Sequence, residues 1–159
     1  MEDKIGFTGV LEIFERKVGE ADWVKIREAH NLITNTGYNT IANRLTGQST
    51  YASTAFPYFS YSNGTGTPVL TDTAATFLAD GTVATKLVAS VSAYDTGNKT
   101  QQWNCYLSST DNTVASITKF ALMDAASPAV MFNELKFTAI SKDSTKEFYF
   151  RYSLSMVQV

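Results

Sequence analysis

The sequence is poor in the residues that most often carry chemistry. It has one cysteine and one histidine. A lone cysteine closes no internal disulfide and supplies no cysteine framework for a metal. A lone histidine leaves few ways to move a proton near neutral pH. Charge is sparse too: Asp, Glu, Lys and Arg make up 18% of the chain and sum to a net charge of -2, against a usual charged share of ~25%. That balance argues against a phosphate-reading surface, so nucleic acid is not an expected partner. No apolar run approaches the ~20 residues that span a bilayer, so no membrane partner is expected either. The opening Met1-Glu2-Asp3-Lys4 has no apolar segment of the kind a secretory signal needs.

What is present is a chain of 159 residues, 44% hydrophobic and 13% aromatic, rich in Ser and Thr. The length fits a single domain spanning residues 1–159. Charges of both signs interleave in the first thirty positions, from Glu2 to Glu28, which suggests a solvated face. From residue 45 to 94 the only charges are Asp72, Asp80 and Lys86. A stretch so depleted fits either a surface covered by a neighbouring subunit or a Thr-rich loop region.

Hydrophobic periodicity points to strands. In the first segment Val10, Glu12, Phe14 and Arg16 alternate with Leu11, Ile13 and Glu15. In the second, Trp23, Lys25 and Arg27 alternate with Val24, Ile26 and Glu28. Period-two alternation is the strand signal, and the short link predicts an antiparallel hairpin over residues 5–29. Asn35 and Thr36 offer N-cap oxygens, and Tyr38, Ile41, Ala42 and Leu45 follow at helical spacing. With Gly47 as the stop, they predict one short helix over residues 36–46. A β-rich remainder over 56–157 follows. It starts with an aromatic strand in which Pro57 belongs at a strand start or edge. Residues 72–78 read as one helical turn or none. Further strands are expected at 82–93, 101–107, 115–122, 130–140 and 146–157. The chain is therefore expected to be mainly β, an antiparallel β-sandwich or barrel with one short α-helix.

No residue pattern in the sequence points to catalytic or cofactor chemistry. His30 sits at a strand end beside Asn31 with no nucleophile motif nearby. Cys105 lies in an alternating apolar strand, where a buried, inert thiol is expected. Gly64-Thr65-Gly66 lacks the third glycine of a dinucleotide loop and the Gly-Lys-Ser/Thr of a P-loop. Asp72, Asp80 and Asp95 are too scattered for a calcium loop. Glu12 and Glu15 fall on opposite faces of one strand and cannot converge. The sequence thus predicts no catalytic residues, no cofactor, no metal and no enzyme.

Read in order, the pieces form a pattern. His30-Asn31-Leu32-Ile33-Thr34-Asn35-Thr36-Gly37 leads into the helix. Gly64-Thr65-Gly66-Thr67-Pro68 and Asp72-Thr73-Ala74 follow. Ile117-Thr118-Lys119-Phe120-Ala121-Leu122-Met123-Asp124 and then Lys142-Asp143 precede the last strand. This ordered set resembles small virion proteins of tailed bacteriophages and related modules of tail and head-fibre proteins, from about Gly6 to Val157. Two departures stand out. Related sequences often carry an acidic residue near the position of Lys119, and the segment after Ala74 continues Ala75-Thr76-Phe77-Leu78.

The resemblance implies a structural role in the virion. Without a repetitive stalk, a capsid decoration (cement) protein is expected, binding the major capsid protein or another virion protein. The alternatives are a tail, neck or fibre component, or a carbohydrate-binding β-sandwich. Symmetric shells favour a homo-trimer. Aromatic residues anchor interfaces, so Tyr51, Phe56, Tyr58, Phe59 and Tyr61 are the expected interface residues.

Overall fold

The computed structural model describes residues 5–46, 56–125 and 130–158. The chain falls into two compact units. The first comprises Met1–Asn31, Val88–Asp111 and Asp143–Val159; the second comprises Leu32–Leu87 and Asn112–Lys142. Each holds one five-stranded antiparallel sheet. The protein is mainly β, and its two antiparallel sheets of five strands are consistent with a β-sandwich. Neither sheet closes on itself, so the barrel alternative falls away.

In the first unit the strands are β1 (Ile5–Lys17), β2 (Val24–His30), β6 (Ser90–Val91), β7 (Thr100–Leu107) and β10 (Lys146–Gln158). They lie in the order β2-β1-β10-β7-β6. β1 and β10 pair in unbroken register along their length, Phe14 opposite Tyr149 and Glu12 opposite Arg151. The expected alternation is realised: Leu11 and Ile13 are buried with Phe148, Phe150, Tyr152 and Cys105, while Glu12 and Phe14 stay half-exposed. The hairpin β1–β2 forms as predicted, with one irregularity. Ile13 pairs with Arg27 but Phe14 pairs with Lys25, so Ile26 is an extra residue. Such a bulge reverses the facing of everything beyond it. Lys25 therefore shares a face with Glu12 and Glu28 and bonds both, at 3.2 and 3.0 Å.

In the second unit the strands are β3 (Leu32–Ile33), β4 (Tyr58–Ser62), β5 (Val83–Leu87), β8 (Ser116–Met123) and β9 (Met131–Ser141), in the order β3-β9-β8-β4-β5. β4 begins directly after Pro57, where the missing N–H costs the ladder nothing. The single strand expected over 82–93 is two strands, β5 and β6, one in each sheet, with the change at Val88-Ala89. Its run of β-branched and small residues carries the strand preference throughout, but nothing local says which sheet it joins.

Helix α1 (Asn35–Thr46) begins one residue before the expected range. Its cap is Thr34, ahead of Asn35 and Thr36: the Thr34 hydroxyl accepts from Gly37 N–H at 3.1 Å and its carbonyl from Tyr38 N–H at 3.0 Å. The buried face is also not the predicted stripe. Gly37 and Thr40 are buried, while Tyr38 is 43% exposed. Gly37 decides this, because a Cβ there would stand 2.1 Å from the Phe132 carbonyl oxygen of β9. The helix approaches the strand through its one residue without a side chain, and Thr40 turns its hydroxyl to the Thr36 carbonyl. Gly37→Ala is expected to cost about 1–3 kcal/mol or more, as overpacking does. A melting temperature within a degree or so of the parent would show that the helix can back away. Gly47, the expected helix stop, lies outside the described residues.

A second helix, α2 (Ala74–Ala79), forms where one turn or none was expected. Thr73 and Thr76 cap it reciprocally in a capping box. Its buried Ala74 and Phe77 pack on Ala121, Met123 and Met131, covering one face of β8 and β9. The other face of this sheet carries Phe59 and Phe120, with ring centroids 6.0 Å apart. The second half of β8 is thus buried on both faces, which explains its apolar run over residues 120–123.

Candidate functional site

Four of the five expected interface residues are described; Tyr51 lies outside the described residues. Phe59 and Tyr61 are 0% and 1% exposed, with ring centroids 5.8 Å apart. Phe56 is buried against Phe132. Tyr58 is half-buried and packs against the cluster under α2. Phe56, Phe59 and Tyr61, expected at an interface, are thus buried within the chain itself, while Tyr58 keeps part of its surface open. β4 lies between β5 and β8, so alternate side chains go to faces that are both occupied.

The residues carrying the sequence pattern are turn and loop clamps. Asn31 donates to the Tyr152 hydroxyl at 2.5 Å. Asp72 accepts from Val69 N–H at 2.7 Å. Asp124 accepts from Val130 N–H at 3.0 Å. Lys142 is buried and donates to Asn112 at 3.1 Å, and Asp143 closes a turn on Thr145.

The tightest clamp is centred on Lys119 in β8, which is 3% exposed. Its ammonium lies 2.5 Å from Glu134 of β9 and 2.6 Å from Asp80, at the end of α2. Asp80 in turn accepts from Thr65 and Gly66 N–H at 3.1 and 3.0 Å. Gly64 is required here, because a Cβ would meet the Asp80 backbone oxygen at 2.4 Å. Lys136 also donates to the Thr65 carbonyl. The Gly64-Thr65-Gly66 loop therefore spends its N–H groups within its own chain, Thr65 and Gly66 on the Asp80 carboxylate and Gly64 on the Ser62 hydroxyl at 3.2 Å, and has none to offer a phosphate.

The three ionised groups share two negative charges and one positive. The Lys119 ammonium, helped by the two N–H donors, holds the Asp80 carboxyl below its usual range. Burial pushes Glu134 up, and Lys119 only partly offsets it. Burial works against the charge on Lys119 as well, but its two carboxylate partners outweigh that and hold it above the usual lysine value. The Asp72 carboxylate also faces Glu134 and raises it further, so Glu134 is the member of the set that takes up a proton first. Sequence reading noted Lys119 as a departure from a pattern. The signal for its role was a lysine and a glutamate each placed inside an apolar strand.

The remaining candidates are dispersed. His30 is exposed at the end of β2, opposite Val10. Cys105 is fully buried, and burial pushes its thiol well up. Glu12 and Glu15 take separate partners, Glu12 with Lys25 and Glu15 with Lys146. No group of three His, Cys, Asp or Glu side chains that could hold a metal occurs among the described residues.

Two surfaces escaped the sequence reading. In the second unit the turn Val69–Asp72 and helix α2 expose Val69, Leu70 and Leu78, at 49%, 49% and 40%. In the first unit Phe14, Trp23, Tyr149 and Arg151 line a pocket of about 300 Å³. Phe14, Tyr149 and Arg151 point outward from two strands that only the pairing of β1 with β10 brings together, and the hairpin link before β2 adds Trp23.

No protein family, curated protein or solved structure matches the chain.

Proposed function

We propose that this protein is a structural component of a bacteriophage virion, a capsid decoration protein that attaches to the head surface through the exposed aliphatic residues of its charge-poor middle. The observation that carries the reading is the position of those residues. Val69, Leu70, Leu78 and Leu87 are all large, apolar and exposed, and all lie in the stretch with three charges. Exposed apolar surface in a charge-poor stretch is what a contact core looks like before its partner covers it. The contacts belong to the aliphatic turn and helix, and the aromatic strand supports them from within. The ordered sequence pattern agrees with a structural role, since its residues serve to clamp loops. Attachment repeated over many copies needs only modest affinity at each, and a trimer suits the threefold positions of a shell.

The test is addition of the purified protein to particles that lack it, with sedimentation and electron microscopy as readouts. Decoration of heads is expected. Leu70→Asp and Leu78→Asp should each weaken attachment roughly tenfold or more, as loss of an interface anchor does, with unchanged melting. Sedimentation of the isolated protein as a trimer is the companion expectation. Binding only to tails or necks would select the fibre or neck alternative. Failure to bind any particle, with a monomer in solution, would overturn the proposal.

A further inference from the structure

The outward face of the first sheet carries a feature that loop clamping and head attachment leave unused. We propose that the pocket bounded by Phe14, Trp23, Tyr149 and Arg151 is a binding site for a neutral pyranose residue of a glycan.

The pocket is built by pairing. Phe14 of β1 stands opposite Tyr149 of β10, and their rings lie 6.1 Å apart at 58°. Trp23, just before β2, leans onto Tyr149 at 5.9 Å and meets Tyr106 of β7 edge-on at 6.1 Å. These rings are half-buried, so each keeps part of its surface open. The Arg16 guanidinium sits 4.5 Å from the centre of the Trp23 ring and is tied to Glu147 at 2.7 Å. Trp23 is thereby held in place although it belongs to a hairpin link. A ring fixed before the ligand arrives loses little entropy on binding.

Size and polarity select the ligand class. A volume of about 300 Å³ is at the low end of the ~300–1,000 Å³ typical of small-molecule sites. It suits a single ring and not an extended peptide. The walls are aromatic faces, which pack against the apolar C–H face of a pyranose. The rim is polar in both senses. Arg151 lies 5.2 Å from the Phe14 ring centre, and its nearest carboxylate, Glu12, is 3.5 Å away and also serves Lys25 at 3.2 Å. Arg151 therefore retains donors, and Glu12 beside it supplies acceptors. Hydroxyl groups need both.

Charge argues for a neutral ligand. Around the pocket Arg16, Lys25 and Arg151 are matched by Glu12, Glu28 and Glu147. A phosphate or carboxylate would gain from Arg151 and be repelled by Glu12 beside it. A neutral sugar meets no such penalty.

The proposal does not depend on attachment to a phage head, and its test uses no particle. Saturation-transfer NMR on the full chain would be run with the methyl β-pyranosides of glucose, galactose, mannose and N-acetylglucosamine, and with methyl β-glucuronide as the anionic comparison. Transfer to the ring C–H protons of at least one neutral glycoside is expected. Trp23→Ala should abolish it, and Arg151→Gln should weaken it roughly tenfold, about the worth of one well-placed charged hydrogen bond. Both substitutions are on the outward face, and a melting curve checks each fold. Arg151→Gln is the decisive variant if Trp23→Ala disturbs the hairpin. No transfer to any neutral glycoside, binding of the glucuronide alone, or full binding by Arg151→Gln would each overturn the proposal. So would self-association lost in both variants, which would assign the pocket to a second copy of the chain.

Discussion

Lys119→Met is expected to lower stability by about 3–5 kcal/mol, the usual cost of removing one partner from a buried ion pair. The ammonium is shared by Glu134, 1% exposed, and Asp80. Methionine matches the length of the stem but leaves the Glu134 charge buried with no counter-charge. Asp80 loses the partner that draws it to the end of the Gly64-Thr65-Gly66 loop. For a domain of this size the loss corresponds to a melting temperature lower by roughly 10 °C.

The deficit should shrink in acid, and the sign follows from both carboxylates. Glu134 has a folded-state pKa raised by burial, so its charge penalises the fold at neutral pH and the penalty lifts as it takes up a proton. Removing Lys119 raises it further, so the relief in the variant begins above the ordinary glutamate value of about 4.3. Asp80 has a lowered folded pKa. It stabilises the parent above the ordinary aspartate value of about 3.9, and that contribution is lost as pH falls below it. Both effects bring parent and variant together at low pH. The double variant Lys119→Met, Glu134→Gln should be more stable at neutral pH than Lys119→Met alone. Thermal melts across pH provide the check. A loss under about 1 kcal/mol, or one independent of pH, would mean that water reaches the cluster and satisfies it.

Phe59→Ala is expected to cost about 3–5 kcal/mol, as deletion of a buried phenylalanine does. Phe59 is 0% exposed and stacks between Tyr61 at 27° and Phe120 at 21°. The void would open in the middle strands of the second sheet, where neighbours paired on both sides cannot collapse into it. The same substitution separates two readings of the aromatic strand. A core residue lowers the melting temperature, and assembly suffers only through folding. A contact residue lowers assembly with the melting temperature unchanged. The second outcome would restore residues 56–61 as the interface.

The aromatic strand shows how a sound local reading can go astray. Five aromatic and polar residues in a charge-poor stretch are compatible with a contact surface. What buries them is the placement of β4 between β8 and β5, with α2 across one face. Composition carries no record of sheet order. The helix face followed the same logic. Tyr38, Ile41 and Ala42 have the spacing of a buried stripe, but the close approach of Gly37 to the Phe132 carbonyl turned the helix to bury Gly37 and Thr40. A single permitted contact outweighed the hydrophobic pattern.

By itself the sequence determined the β class, the opening hairpin, the position of α1, the long last strand and the buried state of Cys105. Each of these rests on alternation, capping chemistry or turn residues, which act over a few neighbouring positions. The tertiary structure alone decided the division into two sheets, the change of sheet at Val88-Ala89 and the bulge at Ile26. It also brought together Asp80, Lys119 and Glu134 in one unit, and Phe14, Trp23, Tyr149 and Arg151 in the other. Those groupings depend on which strands pair and in what register. Register is set by burial summed over a whole face, so no short window of sequence contains it.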